Sequence, residues 1–136
     1  MQSPAIKLNG RQGGFTLVEV LMVIGIIALL ASIAIPAYQR SRRRAQATHI
    51  LEDLRSIDSA LDQYATEFNK ATGSTATFTD LQKYFKVNSQ LYITGADIFG
   101  NTYGPFSVDA LPLINTNSYN SLSDAVEPSF WSPYHD

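Results

Sequence analysis

The sequence predicts an α+β fold in which one long N-terminal helix packs against a small antiparallel sheet. Residues 20–39 contain no charged side chain, and at about 1.5 Å per residue such a helix crosses a bilayer core of about 30 Å. Apolar residues then recur every three or four positions as far as Phe68, which indicates an amphipathic continuation. Short β-branched and aromatic stretches, separated by Gly, Pro and Asn, predict the sheet. The helix therefore has a transmembrane half and an amphipathic half.

The first 14 residues form a polar leader in front of the apolar segment. Lys7 and Arg11 are its charged side chains, and it ends in two glycines. An ordinary secretory signal peptide has its apolar region inside the part that is removed, whereas here the apolar region follows the leader and would be retained. An ordinary signal peptide cleaved after Ala34 stays open as the alternative, because Ser32 and Ala34 fit the small-x-small pattern that precedes such a cleavage site. It would yield a soluble exported domain.

Glu19 is the one charged side chain between residues 15 and 39. A carboxylate inside a membrane-spanning helix costs about 2.5–3.5 kcal/mol on insertion scales, so it indicates a function and a partner. The alternative is that Glu19 lies at the level of the lipid headgroups and reaches water. Pro36 removes a backbone hydrogen bond and bends or loosens the helix. Gly25 is a second flexible point and permits close contact between helices.

The string G-F-T-L-V-E at residues 14–19 resembles the N-terminal signal of type IV prepilins and type II secretion pseudopilins. The matching positions are Gly14, Phe15, Thr16, Leu17, Glu19 and Pro36. The resemblance covers about residues 10–45 and implies a pilin-like fold. It implies that a prepilin peptidase cleaves after Gly14 and that Phe15 becomes the N-methylated N-terminus. It also implies that Glu19 supports assembly and that Pro36 is the helix-bending proline of the family.

The charges created by such cleavage bear on the role of Glu19. A new α-amino group on Phe15 would lie in or near the membrane, about one helical turn from the carboxylate. The two charges could pair within one chain, or Glu19 could face the Phe15 amine of a neighbouring subunit. The second arrangement makes charge neutralisation depend on polymerisation.

Charge is sharply partitioned along the chain. The segment at residues 40–44, here called the arginine segment, contains Arg40, Arg42, Arg43 and Arg44. Residues 45–136 contain four basic and eleven acidic side chains, a formal charge of −7. This acidic region predicts no specific nucleic-acid partner, because nucleic-acid affinity depends on phosphate contacts. The arginine segment itself could contact lipid or DNA phosphates, pair across subunits with acids such as Glu52 or Asp53, or remain a solvated basic surface without a specific partner.

The arginine segment also bears on membrane orientation. By the positive-inside rule, four arginines after the apolar segment favour a cytoplasmic C-terminal side. The resemblance implies the opposite orientation, with leader processing in the cytoplasm and the C-terminal domain exported. We follow the resemblance here.

The remaining elements are predicted in chain order. The helix continues from Arg40 to about residue 72, with Gly73 as its stop. After it we predict a short helix over 79–86, strands over 91–94, 102–108 and 111–114, a short helix over 119–126 and an extended aromatic tail over 127–136. The predicted domains are a leader at 1–14, a transmembrane or filament-core helix at 15–39, an amphipathic helix at 40–72 and a small β-rich region at 73–136.

Candidate chemistry is sparse in the sequence. Major pseudopilins bind calcium in a C-terminal loop, and Asp97, Asp109 and Asp124 are the calcium candidates here. The sequence has no D-x-[DN]-x-[DN]-G loop, so turn and capping roles are favoured and no cofactor is predicted. His49, Glu52 and Asp53 share a helix face, for which a solvated surface is favoured over a metal site. The tail side chains Phe130, Trp131 and Tyr134 are expected to close the core, with surface adhesion as the alternative.

The sequence contains no catalytic motif of the G-x-S-x-G, HExxH or phosphate-loop type, so we predict that the chain is not an enzyme. The absence of cysteine excludes a disulfide, and residues 97–103 are similar to the Asp-x-x-Gly-Asn-x-Tyr turn of major pseudopilins. Many type IV pilins of the family that the sequence resembles close a C-terminal loop with a disulfide. The lack of cysteine therefore favours a pseudopilin or a compact pilin, and the turn favours a pseudopilin.

The predicted function is that of a structural subunit of a pilus-like filament. After processing, the chain would be a single-pass protein of the bacterial inner membrane with its C-terminal domain outside the cytoplasm. It would polymerise with itself at an inner-membrane assembly platform, giving a filament in the periplasm or at the cell surface. The alternative is a membrane-anchored exported binding module that does not polymerise.

Overall fold

The computed structural model describes residues 1–6, 10 and 13–136. Its elements are helix α1 (Leu17–Phe68), strand β1 (Thr75–Ala76), helix α2 (Phe78–Leu81) with a 3₁₀ turn (Gln82–Tyr84), helix α3 (Gln90–Thr94), strand β2 (Phe106–Ser107), helix α4 (Thr116–Leu122) and a second 3₁₀ turn (Pro128–Trp131). Strands β1 and β2 pair antiparallel, with Thr75 opposite Ser107. The predicted α+β fold, a long N-terminal helix with a small antiparallel sheet, is confirmed.

The chain divides into two compact units, Met1–Ala37 and Tyr38–Asp136, called the N-terminal and C-terminal units. Of the predicted leader, residues 7–9, 11 and 12, which include Lys7 and Arg11, lie outside the described residues. The assignment of residues 1–14 as a removable leader stays a prediction.

The N-terminal unit contains the apolar part of α1. By length and composition, α1 is the one helix among the described residues that could cross a membrane, and no residue of its most apolar part is buried. Leu21, Ile27 and Leu30 are each more than half exposed. Pro36 lies inside α1, which continues past it. An apolar surface of this kind needs a membrane or other protein chains to cover it.

The core of the C-terminal unit is built on one face of α1. The buried apolar residues of that face are Ala47, Ile50, Leu51, Leu54, Ile57, Ala60, Leu61 and Tyr64. Their spacing of three and four residues confirms the predicted amphipathic pattern, and each fully buried large aliphatic side chain contributes about 1.5–3 kcal/mol. The side chains that cover them include Leu81, Phe85, Phe106, Val108, Leu122 and Trp131.

The predicted strand over residues 91–94 is wrong, because this segment is helix α3. Ser89 caps its start by accepting a hydrogen bond from the Tyr92 N–H at 3.1 Å. Gly95 ends it in the left-handed conformation, with φ of 63° and its N–H bonded to the Leu91 carbonyl. A capping serine and a terminal glycine therefore decide the structure of a segment whose composition is also suitable for a strand.

The strand predicted over 102–108 is too long, and the strand predicted over 111–114 is wrong. The first is reduced to Phe106–Ser107, and the second has no strand hydrogen bonding. Residues 111–114 keep the alternating burial of an extended chain, with Pro112 and Ile114 inside, but Pro112 has no N–H to donate to a ladder. The Ile114 N–H instead donates to the Tyr134 carbonyl at 2.9 Å. The C-terminal region is consequently less β-rich than predicted.

Several helix limits differ from the prediction. Helix α1 ends at Phe68 rather than near 72, and Asn69 follows it with a φ of 48°. Helix α4 lies at Thr116–Leu122 rather than 119–126, because Asn115 caps it. Helix α2 begins at Phe78, one residue earlier than predicted, because Thr77 and Asp80 form a reciprocal capping box.

The aromatic tail closes the core, as predicted, although part of it is a 3₁₀ turn rather than extended. The side chain of Trp131 is fully buried and Tyr134 is 7% exposed. The Tyr134 hydroxyl also donates a hydrogen bond to the Asp58 carboxylate at 3.3 Å. These contacts tie the end of the chain to α1, which leaves little aromatic surface for adhesion.

We expect Gly95→Ala to destabilise the C-terminal unit by about 1–3 kcal/mol, because its φ is positive and a Cβ there would lie 2.9 Å from the Phe78 ring. Gly73→Ala is the matched control, since Gly73 also has a positive φ but has no atom near its Cβ position. It should cost about 1 kcal/mol. Urea unfolding of the full chain in detergent measures both, and equal losses would contradict the predicted steric conflict with Phe78.

Candidate functional site

The start of α1 is held by a reciprocal pair of hydrogen bonds. The Glu19 N–H donates to the Thr16 hydroxyl at 3.2 Å, and the Thr16 N–H donates to the Glu19 carboxylate at 3.1 Å. This arrangement is a capping box, which satisfies two backbone donors that a helix N-terminus leaves free. The carboxylate also lies at the positive end of the helix dipole. Glu19, the one charged side chain of the apolar segment, therefore has a hydrogen-bonding partner, Thr16, in its own chain.

The capping role of Thr16 is not among the roles predicted from the sequence. The signal was present, because Ser or Thr followed three residues later by Glu, just before an apolar run, is typical of a capping box. In the uncleaved chain Glu19 contacts Thr16, and the predicted pairing with a Phe15 amine would require cleavage.

The peptide bond between Gly14 and Phe15 is open to solvent. Phe15 is 90% exposed, and no atom lies within 4 Å of the position that a Cβ of Gly14 would occupy. An exposed glycine with open space around it allows close approach of a protease. Phe15 and Glu19 also border a shallow apolar surface pocket of about 250 Å³, completed by Val20, Val23 and Ile24.

The arginine segment lies in the C-terminal unit, and its members differ in their contacts. Arg43 forms an ion pair and hydrogen bond with Asp124, which follows helix α4. Arg40, Arg42 and Arg44 are exposed, and within the described part of the chain none of them has a carboxylate at ion-pair distance. The sequence alone could not separate these four residues.

The three calcium candidates are not brought together. Asp97 is fully buried, Asp109 accepts a hydrogen bond from the Thr72 hydroxyl, and Asp124 pairs with Arg43. In residues 1–6, 10 and 13–136, no three His, Cys, Asp or Glu side chains are grouped so that they could hold a metal. Asp97 has the turn role favoured by the sequence, whereas Asp109 and Asp124 contact side chains that are distant in the sequence.

Asp97 organises the turn that resembles that of major pseudopilins. One carboxylate oxygen accepts hydrogen bonds from the N–H groups of Phe99 and Asn101, both at 2.9 Å, and the other accepts from the Ser118 hydroxyl. The Asn101 side-chain amide donates to the same Ser118 oxygen at 2.8 Å. A backbone bridge between Ala96 and Thr102 closes the turn. Asp97 thus joins the turn to helix α4.

Asp53 forms a second buried polar contact. It accepts a hydrogen bond from the Tyr103 hydroxyl at 3.0 Å, and the His49 ring nitrogen lies 3.5 Å from the same oxygen. Burial raises the pKa of Asp53, although the hydrogen bond from Tyr103 lowers it in part. Burial and the nearby Asp53 charge raise the pKa of Tyr103. Glu52, the third residue of the predicted face, takes no part in this contact.

The raised pKa of Asp53 leads to a pH prediction. Between the ordinary value of 3.8 and the folded-state pKa, the folded chain holds the proton more tightly than the unfolded chain. This contribution to stability is therefore full below 3.8 and is lost as pH rises through the folded-state pKa. Asp53→Asn keeps an acceptor for Tyr103, so we expect the variant to be within about 1 kcal/mol of the wild type, or above it, at pH 7.

The measurement is urea unfolding from pH 4 to pH 8 for wild type and variant. Because Glu67 and Asp80 have lowered pKa values that act in the opposite direction, the informative quantity is the difference between the two proteins. That difference should move in favour of Asp53→Asn as pH rises. A difference that is the same at every pH would contradict the assignment to Asp53.

One family model and several known proteins are similar to this chain. Residues 9–35 match the family described as the prokaryotic N-terminal methylation motif. Prepilin peptidase-dependent protein D of Escherichia coli K12 is 46% identical over 57 residues, covering 42% of this chain and 39% of the relative. Type II secretion system core protein G of Pectobacterium carotovorum is 38% identical over 60 residues, covering 44% and 38%. The chain thus spans about two fifths of the length of these two relatives.

A longer match identifies the class of protein. Fimbrial protein Q of Moraxella bovis is 34% identical over 110 residues, covering 68% of this chain and 69% of the relative. No solved structure matches the chain. An exposed apolar helix that begins in a prepilin-type motif and continues into a packed domain defines a subunit of the pilin class. The chain belongs to the family of type IV pilins and type II secretion pseudopilins. Members of this family are structural subunits rather than enzymes, in agreement with the prediction.

Proposed function

We propose that the chain is a structural subunit of a pilus-like filament, anchored in a membrane by residues 15–39 before it polymerises. The observation that carries the proposal is the exposed apolar surface of α1, which no described residue covers. A bilayer covers this surface in the monomer, and neighbouring apolar helices cover it in a filament core. The same residues can therefore serve in both states.

Processing is proposed to occur between Gly14 and Phe15. The exposure of this bond and the similarity to a protein named as prepilin peptidase-dependent both support cleavage there. N-methylation of Phe15 would follow. The capping box survives such a cut, because Thr16 keeps both its hydroxyl and its peptide N–H. Cleavage would therefore add an α-amino group in front of the helix without removing the contact that positions Glu19.

In addition to its contact with Thr16, the Glu19 carboxylate is proposed to bind a neighbouring subunit during assembly. One of its oxygens accepts from Thr16, and an ionised carboxylate has further acceptor capacity. The Phe15 amine of a neighbouring subunit is a partner of suitable charge, and the apolar pocket beside Glu19 could receive a neighbouring side chain. Pro36 removes one backbone hydrogen bond within α1, which would allow a local change when a subunit leaves the bilayer.

Among filament systems, the turn at Asp97 and the absence of cysteine favour a type II secretion pseudopilus over a type IV pilus. The subunit would enter the filament from an inner-membrane assembly platform and would expose its C-terminal unit outside the cytoplasm. A membrane-anchored binding module that does not polymerise is the second candidate. It would retain the apolar helix but would not need the charge of Glu19.

The N-terminus of the mature chain, measured by mass spectrometry of the membrane fraction, tests the proposal. A chain that starts at Phe15 with one added methyl group is expected. Gly14→Leu should leave the leader attached, whereas Gly13→Leu should not, and both positions have open space that accepts a side chain. A start at Ile35 would indicate ordinary secretion, and an intact Met1 in the wild type would indicate a plain membrane anchor. Either result would overturn the processing step.

A further inference from the structure

We propose that Arg40, Arg42 and Arg44 bind the phosphate groups of anionic phospholipids and hold the subunit at the membrane surface before assembly. The inference rests on the proposed membrane insertion of residues 15–39 and is independent of polymerisation. It adds a lipid-binding surface to the anchor, which otherwise contributes only apolar contacts.

The contacts of the arginine segment divide it into two roles. Arg43 is neutralised by Asp124 and joins α1 to the segment after α4. Arg40, Arg42 and Arg44 are exposed. Among the residues that the structure describes, none of the three forms an ion pair. An arginine without a partner on a protein surface is available for an external anion, and its planar guanidinium suits the oxygens of a phosphate.

The three exposed arginines place positive charge on two opposite faces of α1. Arg40 and Arg44 are four residues apart and share one face, whereas Arg42 lies on the opposite side. Arg40 and Arg44 also border a surface pocket of about 330 Å³ whose other wall is formed by residues 123–128. Its two carboxylates are Asp124, already paired with Arg43, and Glu127. Two guanidinium groups one turn apart can contact the same phosphate.

The position in the sequence favours a lipid over a nucleic acid. Arg40 directly follows the uncharged segment that ends at Gln39. If that segment fills the hydrocarbon core, the next turn lies at headgroup depth, where each basic residue gains from anionic lipid. The following residues 45–136 have a formal charge of −7, which would repel a polyanion long enough to extend over them.

Native mass spectrometry of the full chain in detergent micelles provides the test. Added phosphatidylglycerol should bind more tightly than added phosphatidylcholine. The triple variant R40Q/R42Q/R44Q should lose about a hundredfold in phosphatidylglycerol affinity, at about fivefold per arginine. R43Q is the matched control and should lose less than about fivefold, with Trp131 fluorescence reporting whether the fold is retained. Equal affinity of the wild type for the two lipids would overturn the proposal.

Further experiments distinguish phospholipid from other ligands that carry phosphate groups. Inorganic phosphate alone should form no comparable adduct, and a short DNA oligonucleotide should not displace phosphatidylglycerol. If either ligand competes as strongly as the lipid, the lipid assignment is wrong. Flotation of the full chain with phosphatidylcholine vesicles tests insertion separately. The triple variant should still float, so a failure of the anchor can be distinguished from a failure of the arginine segment.

Discussion

Asp97→Ala is expected to lower the free energy of unfolding of the C-terminal unit by about 3–5 kcal/mol. The Asp97 side chain is fully buried, and it accepts hydrogen bonds from two backbone N–H groups and from Ser118. Alanine would leave these donors unsatisfied inside the protein, and each would cost about 1–3 kcal/mol. We therefore expect loss of the turn and detachment of helix α4 at much lower denaturant concentration than in the wild type.

Urea unfolding of the full chain in detergent measures this effect. Trp131 is the single tryptophan of the chain and is fully buried, so its fluorescence reports the C-terminal unit. Asp62→Ala is the matched control, because Asp62 is exposed on α1 and its loss should change stability by no more than about 0.5 kcal/mol. A loss below about 1 kcal/mol for Asp97→Ala would show that the buried network contributes little.

Glu19→Gln is expected to reduce the amount of filament by about tenfold or more, as Glu19→Ala should, because one lost charge pair of about 1.4 kcal/mol corresponds to a factor of ten. Glutamine keeps an acceptor for the Thr16 N–H, so it preserves the capping box while removing the charge. The substitution therefore separates the contact within the chain from the proposed contact with a neighbouring Phe15 amine. Sheared filaments quantified against membrane-bound subunit provide the measurement.

Thr16→Ala is the reciprocal control for Glu19→Gln. It removes the hydroxyl that accepts from the Glu19 N–H but leaves the carboxylate charged, so its effect on assembly should be smaller. If Glu19→Gln assembled as well as the wild type while Thr16→Ala did not, capping alone would explain Glu19 and the pairing between subunits would be wrong. Normal assembly of both Glu19→Gln and Glu19→Ala would contradict any role of the Glu19 charge in assembly, whereas a wild-type chain that forms no filament would favour the membrane-anchored binding module.

The long helix and the candidate processing site were predictable because their signals are local. An uncharged apolar segment, a single Glu19 within it and a preceding pair of glycines need no knowledge of distant residues. The amphipathic part of α1 was equally predictable, since burial on one face imposes a period of 3.6 residues. The same kind of local reasoning could have found the Thr16–Glu19 capping box.

The elements that differ from the sequence prediction are decided by contacts between elements or at their ends. Residues 91–94 have strand-like composition, yet the caps at Ser89 and Gly95 make them helical. Residues 111–114 alternate in burial as a strand does, but the Ile114 N–H donates to the Tyr134 carbonyl in the C-terminal tail rather than to a neighbouring strand. Hydrophobicity and secondary-structure propensity cannot predict such hydrogen-bond partners, because the partners depend on which segments the fold brings together.

By itself, the sequence determined that this chain has an apolar helix with one carboxylate, an acidic C-terminal region and a basic segment between them. Only the tertiary structure decided that Arg43 is paired with Asp124 while its three neighbours are exposed, and that the three candidate calcium ligands are used in separate contacts. The physical reason is the sequence separation over which each interaction acts. Composition and periodicity act over a few residues, whereas the Arg43–Asp124 pair joins residues 81 positions apart.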